Sequence, residues 1–216
     1  MPSRVCGHIL SQLNLNLHLP IAHAGLLEAG ILHRDLSSDN LLLGLPGADV
    51  GQRGILIDLD MAIRTNRTCS SISADFRTVC SLLLDHHSII THLCFSLQGT
   101  RLFQSISVLS SELARGLAPP HDYLDDLESF FYLAHYLVIL YHPDGSDRLI
   151  DPASKHHGRD ALKAWAHPDE QVSRSAKSNL FESFLAYDSL INEAQDWDQA
   201  VLTMLEDFRE WIKGIR

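Results

Sequence analysis

Asp35 sits in the run His33-Arg34-Asp35-Leu36-Ser37-Ser38-Asp39-Asn40, and Asn40 follows it by five positions. A second acid, Asp58, closes the short apolar run Ile55–Ile57. A carboxylate can accept or orient the proton of an attacking hydroxyl. An amide oxygen and another carboxylate are hard ligands of the kind that hold magnesium against phosphates. Phosphoryl transfer needs little more than these groups, correctly placed. Asp35 suits the first role, and Asn40 and Asp58 suit the second. Asp and Asn are also common turn residues, so the spacing carries the argument rather than the residue types.

The flanking elements must bring these groups together. Leu41–Leu43 is a short apolar run, LGLPGADVGQRG supplies Gly, Pro and Asp, and Ile55–Ile57 is a second apolar run. This reads as two strands joined by a polar hairpin loop. The hairpin would return Asp58 to the side of Asn40 despite eighteen positions of separation. Ile21–Ala29 has helical character, with Gly30 as its stop. After Pro119-Pro120, Tyr123–Tyr141 predicts a long helix, apolar nearly all round after its first turn and therefore central to a core. His142-Pro143 ends it, because Pro disfavours the helical conformation of the residue before it. From Lys155 on, the pattern is helices separated by Pro168 and polar turns. Phe208, Trp211 and Ile212, at spacings of three and four, predict one apolar face on the last helix.

The loop resembles the catalytic loop of protein kinases, H-R-D-x-x-x-x-N, and matches it at His33, Arg34, Asp35 and Asn40. By that resemblance Asp58-Leu59-Asp60 takes the place of the magnesium-binding D-F-G motif, keeping the ligand while Leu59 and Asp60 depart from Phe and Gly. Gly99-Thr100-Arg101-Leu102-Phe103 looks like the end of an activation segment. Asp125-Asp126-Leu127-Glu128-Ser129-Phe130 looks like the start of the central helix of the large lobe. HRDLSSDN, GxLIDLDxA, GTxxFQS and DDLESFFY, in this order, are most similar to the fungal-type protein kinases. The resemblance implies that Asp35 is catalytic, with His33 and Arg34 in the same loop. It also implies that Asn40 and Asp58 hold Mg2+ and ATP, and that Asp126 anchors the catalytic-loop backbone, although an Asp near a helix start can equally be a cap. The implied reaction moves the ATP γ-phosphate to a Ser/Thr hydroxyl of a protein, although Ser37 stands where such kinases usually carry Lys. Arg34 would pair with a phosphorylated activation segment, for which Thr65, Thr68 and Ser70 are the available residues.

The sequence departs from the family elsewhere. A small lobe of about five strands and one helix needs about sixty residues, and 32 precede His33. No G-x-G-x-x-G is present, and the first lysine is Lys155. A large lobe without its ATP-gripping partner is therefore expected. The family's Glu near the end of the activation segment would fall at Ser107. Residues 63–98 form an atypical insertion in that segment, with the greasy stretch SLLLDHHSIITHLCFSL. A retained intron is one explanation, since codons for Phe95–Gln98 can encode a pyrimidine-rich tract ending in CAG; transcript sequencing tests it.

Two other functions fit part of the pattern. One is a catalytically dead kinase fragment, or pseudokinase, that binds a partner protein. The other is a small-molecule phosphotransferase of the aminoglycoside type, whose I-D-x-D strand end Ile57–Asp60 matches. Arg34, Gly99-Thr100 and Asp125–Phe130 favour the protein-kinase branch.

Composition narrows the partners. The chain has 216 residues, 45% apolar and 20% charged, with a net charge of −10. No stretch clusters Lys and Arg, which argues against nucleic acid or an anionic membrane. Cys6, Cys69, Cys80 and Cys94 form no C-x-x-C pair, so neither a disulfide framework nor a zinc site is indicated. The histidine pairs His86-His87 and His156-His157 lack a third ligand at suitable spacing. Phe130–Tyr141 is too short to span a bilayer, and Met1–Pro20 is a poor signal peptide. An intracellular protein, cytoplasmic or nuclear, is expected, with a protein substrate or partner. The expected fold is mainly α with a small β-hairpin, equivalent to a protein-kinase-like C-terminal lobe over 21–216, with 1–20 as lead-in.

Overall fold

The computed structural model describes residues 26, 29–43, 54–64, 100–113, 121–144, 146–148 and 157–215. Most of the Ile21–Ala29 helix, the hairpin loop, the insertion after Arg64 and Met1–Pro20 lie outside them. The described residues are mainly helical, with two small antiparallel strand pairs. Strands β1 (Ile31–Leu32), β2 (Leu41–Leu43), β3 (Gly54–Leu56) and β4 (Ile63–Arg64) precede helices α1 (Ile106–Leu113), α2 (Tyr123–Leu140), α3 (His157–Trp165), α4 (Glu170–Glu182), α5 (Phe184–Ile191) and α6 (Gln199–Ile215).

The expected hairpin pairing is present as β2 with β3, in the register Leu41 with Leu56, Leu42 with Ile55 and Leu43 with Gly54. The second strand lies one residue earlier than the apolar run Ile55–Ile57, because Ile57 is already past the ladder; its N–H donates to the Asn40 carbonyl at 2.9 Å. Leu41 and Leu56, opposite one another, pack on the core, while Ile55 is exposed. This is the alternation a one-sided ribbon demands. The pairing of β1 with β4, Leu32 opposite Ile63, was not expected. It brings the chain just before His33 against the chain just after Asp58.

Helix α2 is the centre of the core, with Phe131, Tyr132 and Leu133 fully buried. It starts in a capping box: the Asp122 carboxylate accepts from Leu124 N, and the Asp125 carboxylate accepts from Asp122 N at 2.9 Å. Reciprocal capping of this kind fixes the first turn. The helix ends at Leu140, one residue before the expected Tyr141, which is extended and bridges to Asp147. Arg148 Nε and Trp197 Nε1 both donate to the Val138 and Tyr141 carbonyls, supplying partners for the last turn. Around α2, Phe103, Leu162, Trp165, Leu180, Phe181, Tyr187 and Ile212 form the main core. Val138, Trp197, Val201, Leu202 and Leu205 form a second cluster at the far end.

Of the expected stripe on the last helix, Phe208 packs against Phe131 and Ile212 lies in the core, while Trp211 does not. Ile212 is buried, but Trp211 is 46% exposed, and the inward positions include Val201, Leu202, Leu205 and Arg209. Arg209 is tolerated there because its guanidinium donates to the Leu180 and Phe181 carbonyls at 2.7 and 3.2 Å and lies over the Tyr187 ring. Buried charge is retained only when its donors are satisfied in this way.

Candidate functional site

The loop between β1 and β2 is held from three sides. Asp126, on the first turn of α2 and fully buried, faces the loop backbone. Its carboxylate accepts from His33 N at 2.8 Å and from Arg34 N at 3.0 Å. His121 Nε2 lies 3.1 Å from the same carboxylate. The cap of α2 is Asp122, four residues earlier, so Asp126 does not perform that task. Gly30 and Arg34 both have positive φ, 68° and 69°. Gly30 adopts this freely, whereas in Arg34 it costs about 1–2 kcal/mol. The two bonds that Asp126 accepts, from the peptide N–H groups on either side of the His33 Cα, hold that conformation in place.

His33 is fully buried. Its Nε2–H donates to the Ile57 carbonyl at 3.0 Å, which leaves Nδ1 as the acceptor facing Asp35 N at 3.4 Å. The imidazole thus ties the loop to the residue that precedes Asp58. The Arg34 side chain is half-buried; desolvation lowers its pKa, while Asp126 and Asp125 pull the other way. Its Nε has no hydrogen-bond partner among the described residues. Thr65, Thr68 and Ser70 lie outside the described residues.

Asp35 and Asn40 meet directly. Asn40 Nδ2 donates to the Asp35 main-chain carbonyl at 2.8 Å and to its Oδ2 at 3.1 Å. The other carboxylate oxygen, Oδ1, accepts from Thr100 N at 3.0 Å. Both oxygens of Asp35 are therefore oriented, one by its own loop and one by the segment returning at Thr100. Asn40 is buried, and its amide oxygen lies on the side away from Asp35, because the NH2 faces it. Asp58 is exposed, with φ 61°. The bond from Ile57 N to the Asn40 carbonyl sets Ile57 opposite Asn40, and Asp58 is the residue after Ile57 at the open end of the ribbon. Asp60 lies in the following turn.

The segment Arg101–Phe103 is a single 3-10 turn. Its surroundings include groups that the motifs did not single out for this task. Ser105 Oγ donates to Asp125 at 2.5 Å, and Glu128 Oε1 accepts from Ile106 N at 2.9 Å and from Tyr132 OH at 2.6 Å. Lys177, on α4 and fully buried, donates to the carbonyls of Arg101 and Gln104 at 2.9 and 2.5 Å. Burial pulls its ammonium down to about 7, against the opposing pull of the Glu128 carboxylate. Asp125 and Glu128 were visible in the DDLESFFY motif. Lys177 was not, since QVSRSAKSNL reads as a polar helix.

A small hollow beside Asp35 is lined by Thr100, Gln104, Val108 and His121 among others. A wider, shallow groove along α4, past Asp169, Val172, Ala176 and Asn179, shares no residue with the loop. Among the described residues no group of three His, Cys, Asp or Glu could hold a metal ion by itself, and no helix is long and apolar enough to cross a membrane. His86-His87 and His156 lie outside the described residues.

Comparison with known proteins gives one family. The family model for fungal protein kinases matches residues 19–138, more than half of the chain. Searches of curated proteins and of solved structures return no match. The matched span holds the His33–Asn40 loop, Asp58 and Asp126 together. The chain belongs to the fungal protein kinase family.

Proposed function

We propose that the chain is the large lobe of a protein kinase and transfers the ATP γ-phosphate to a Ser/Thr hydroxyl of a protein. The observation that carries this reading is the shared hydrogen bonding of Asp35 and Asn40, with Asp58 following Ile57, whose N–H bonds the Asn40 carbonyl. The donor set fits magnesium: one amide oxygen turned away from Asp35 and one exposed carboxylate, both hard ligands. Asn40 and Asp58 are the residues that would hold it, and a bound magnesium ion would neutralise phosphate charge. Asp35 accepts the substrate hydroxyl, its carboxylate kept in one orientation by Asn40 Nδ2 and Thr100 N. His33 holds the two halves of the site in register through Ile57. Asp126 fixes the backbone of the loop. Family membership supports ATP as the donor.

The test uses the full chain, γ-labelled ATP, magnesium and a mixed protein acceptor. Labelled Ser/Thr is expected, with Asp35→Ala reducing the rate at least about 100-fold, as removal of a positioned acid–base group does. Equal labelling by Asp35→Ala refutes the reading. So does the absence of labelling by the unmodified chain both alone and with a kinase small lobe added in trans.

A second reading is favoured by the apolar side chains flanking Asp58. Ile55 is 52% and Leu59 46% exposed. On this reading the lobe binds a partner protein through that surface without catalysis. Binding of a partner that is lost in Ile55→Ser and untouched in Asp35→Ala, with no labelling by any form, would favour it.

A further inference from the structure

The segment that returns to Asp35 is held by a side chain that the loop does not contain. We propose that Lys177, paired with Glu128 through Tyr132, is a positioning residue that sets Thr100–Gln104 against Asp35 and so shapes the place where the phosphoacceptor protein lies. The inference rests on the phosphotransfer reading for its functional half and on geometry alone for its structural half.

The chain of contacts is continuous. Lys177 Nζ donates to Arg101 O and Gln104 O, the two carbonyls at the ends of the 3-10 turn. Within the turn, Phe103 N donates to Thr100 O at 2.8 Å and Gln104 N to Arg101 O at 3.2 Å. Thr100 N then donates to Asp35 Oδ1. The ammonium lies 4.3 Å from the centre of the Tyr132 ring, and the Tyr132 hydroxyl donates to Glu128, which also accepts from Ile106 N just beyond the segment. Arg101 adds a second, looser tie to α4, 3.7 Å from Glu170. Lys177 on α4 and Glu128 on α2 thus grip the segment from both ends.

An apolar residue would fill this buried position at lower desolvation cost. A buried ammonium needs its donors satisfied, and here two of the three go to main-chain carbonyls of one segment while the Tyr132 ring lies beside the charge. Methionine could fill the volume but could not hold the turn. Lysine therefore contributes placement of the turn rather than packing.

The test compares Lys177→Met, Lys177→Arg and Glu128→Gln in the full chain, with two readouts. Hydrogen exchange reports the segment independently of any activity. In Lys177→Met the Phe103 and Gln104 amides should exchange at least about tenfold faster, while α2 and α6 change less than about twofold. Lys177→Arg should restore most of the protection, and Glu128→Gln should loosen the same amides by about threefold. The second readout is kinetic: transfer to protein falls at least about tenfold in Lys177→Met, with the nucleotide KM within about twofold. Unchanged exchange at Phe103 and Gln104 overturns the proposal. Loss spread evenly over all helices overturns it as well, since that is a merely structural role. If Lys177→Met does not fold, Glu128→Gln decides on the same amides. Normal exchange effects without any transfer by the parent chain would sink the phosphotransfer reading and leave the clamp standing.

Discussion

Replacing Asp126 by Asn isolates the contact between the central helix and the loop. The wild-type carboxylate receives two backbone donors, the buried His33 N and the partly buried Arg34 N, and faces His121. A carboxamide keeps one acceptor oxygen and turns an NH2 toward the other donor. One charge-assisted bond becomes a neutral one, a loss of about 1 kcal/mol, and one buried N–H is orphaned at about 1–3 kcal/mol. Removing a buried charge recovers part of its desolvation penalty. The net cost is about 2–3 kcal/mol. The loss also frees Arg34 from its left-handed conformation, so the loop should relax as the bonds go. Urea unfolding measures the total, and hydrogen exchange locates it at His33, Arg34 and Asp35. Asp122→Asn is the control: the same change, in the same first turn, at an exposed cap where Asn serves about as well as Asp. It should cost no more than a few tenths of a kcal/mol. A loss below about 0.5 kcal/mol in Asp126→Asn, or equal losses in the two variants, would refute the reasoning.

His135 is fully buried, donates from Nδ1 to the Phe131 carbonyl and faces the Tyr187 hydroxyl; burial, with nearby Arg209, pushes its pKa down to about 4. Its folded value lies below the unfolded value near 6.5, so the stability it confers is full above that value and is lost as pH falls towards 4. The loss is on the order of 3 kcal/mol, seen by urea unfolding at pH 7 and pH 4.5, and His135→Gln should flatten much of the slope. Gly30→Ala should cost about 1 kcal/mol by thermal unfolding, since alanine adopts φ 68° poorly. Arg148→Ala removes the one N–H donor shared by the Val138 and Tyr141 carbonyls at the end of α2 and an ion pair with Asp196, and should cost about 2 kcal/mol, whereas Asp196→Asn, on the more exposed side of that pair, should cost less than about 1 kcal/mol.

The His33–Asn40 loop was legible because its chemistry fixes both residue types and spacing. The hairpin pairing was legible because Gly, Pro and Asp separate two apolar runs. The bounds of its second strand were placed one residue late, at Ile55–Ile57 where the strand is Gly54–Leu56, because Ile57 is apolar like a strand residue and Gly54 is not. On the last helix Phe208 and Ile212 face the core as expected, and Trp211 was misplaced for a related reason. Periodicity counts apolar side chains, and here an arginine that caps the carbonyls of another helix takes an inward position while Trp211 turns outward. Lys177 could not have been found by any local signal. Its partners are main-chain carbonyls 73 and 76 residues away, and main-chain atoms leave no mark in the sequence. The short β1–β4 pair is below the length at which alternation can be seen.

The central claim is that Asn40 and Asp58 form one magnesium–nucleotide site beside Asp35. Manganese substituted for magnesium in the presence of ATP broadens NMR signals only near the ion. The account predicts that the Asn40 side-chain NH2 and the Asp58 and Leu59 amides broaden first, that the effect requires nucleotide, and that Asp58→Ala abolishes it while leaving the Asn40–Asp35 bond intact. Broadening elsewhere on the surface, or the same broadening in Asp58→Ala, would contradict it.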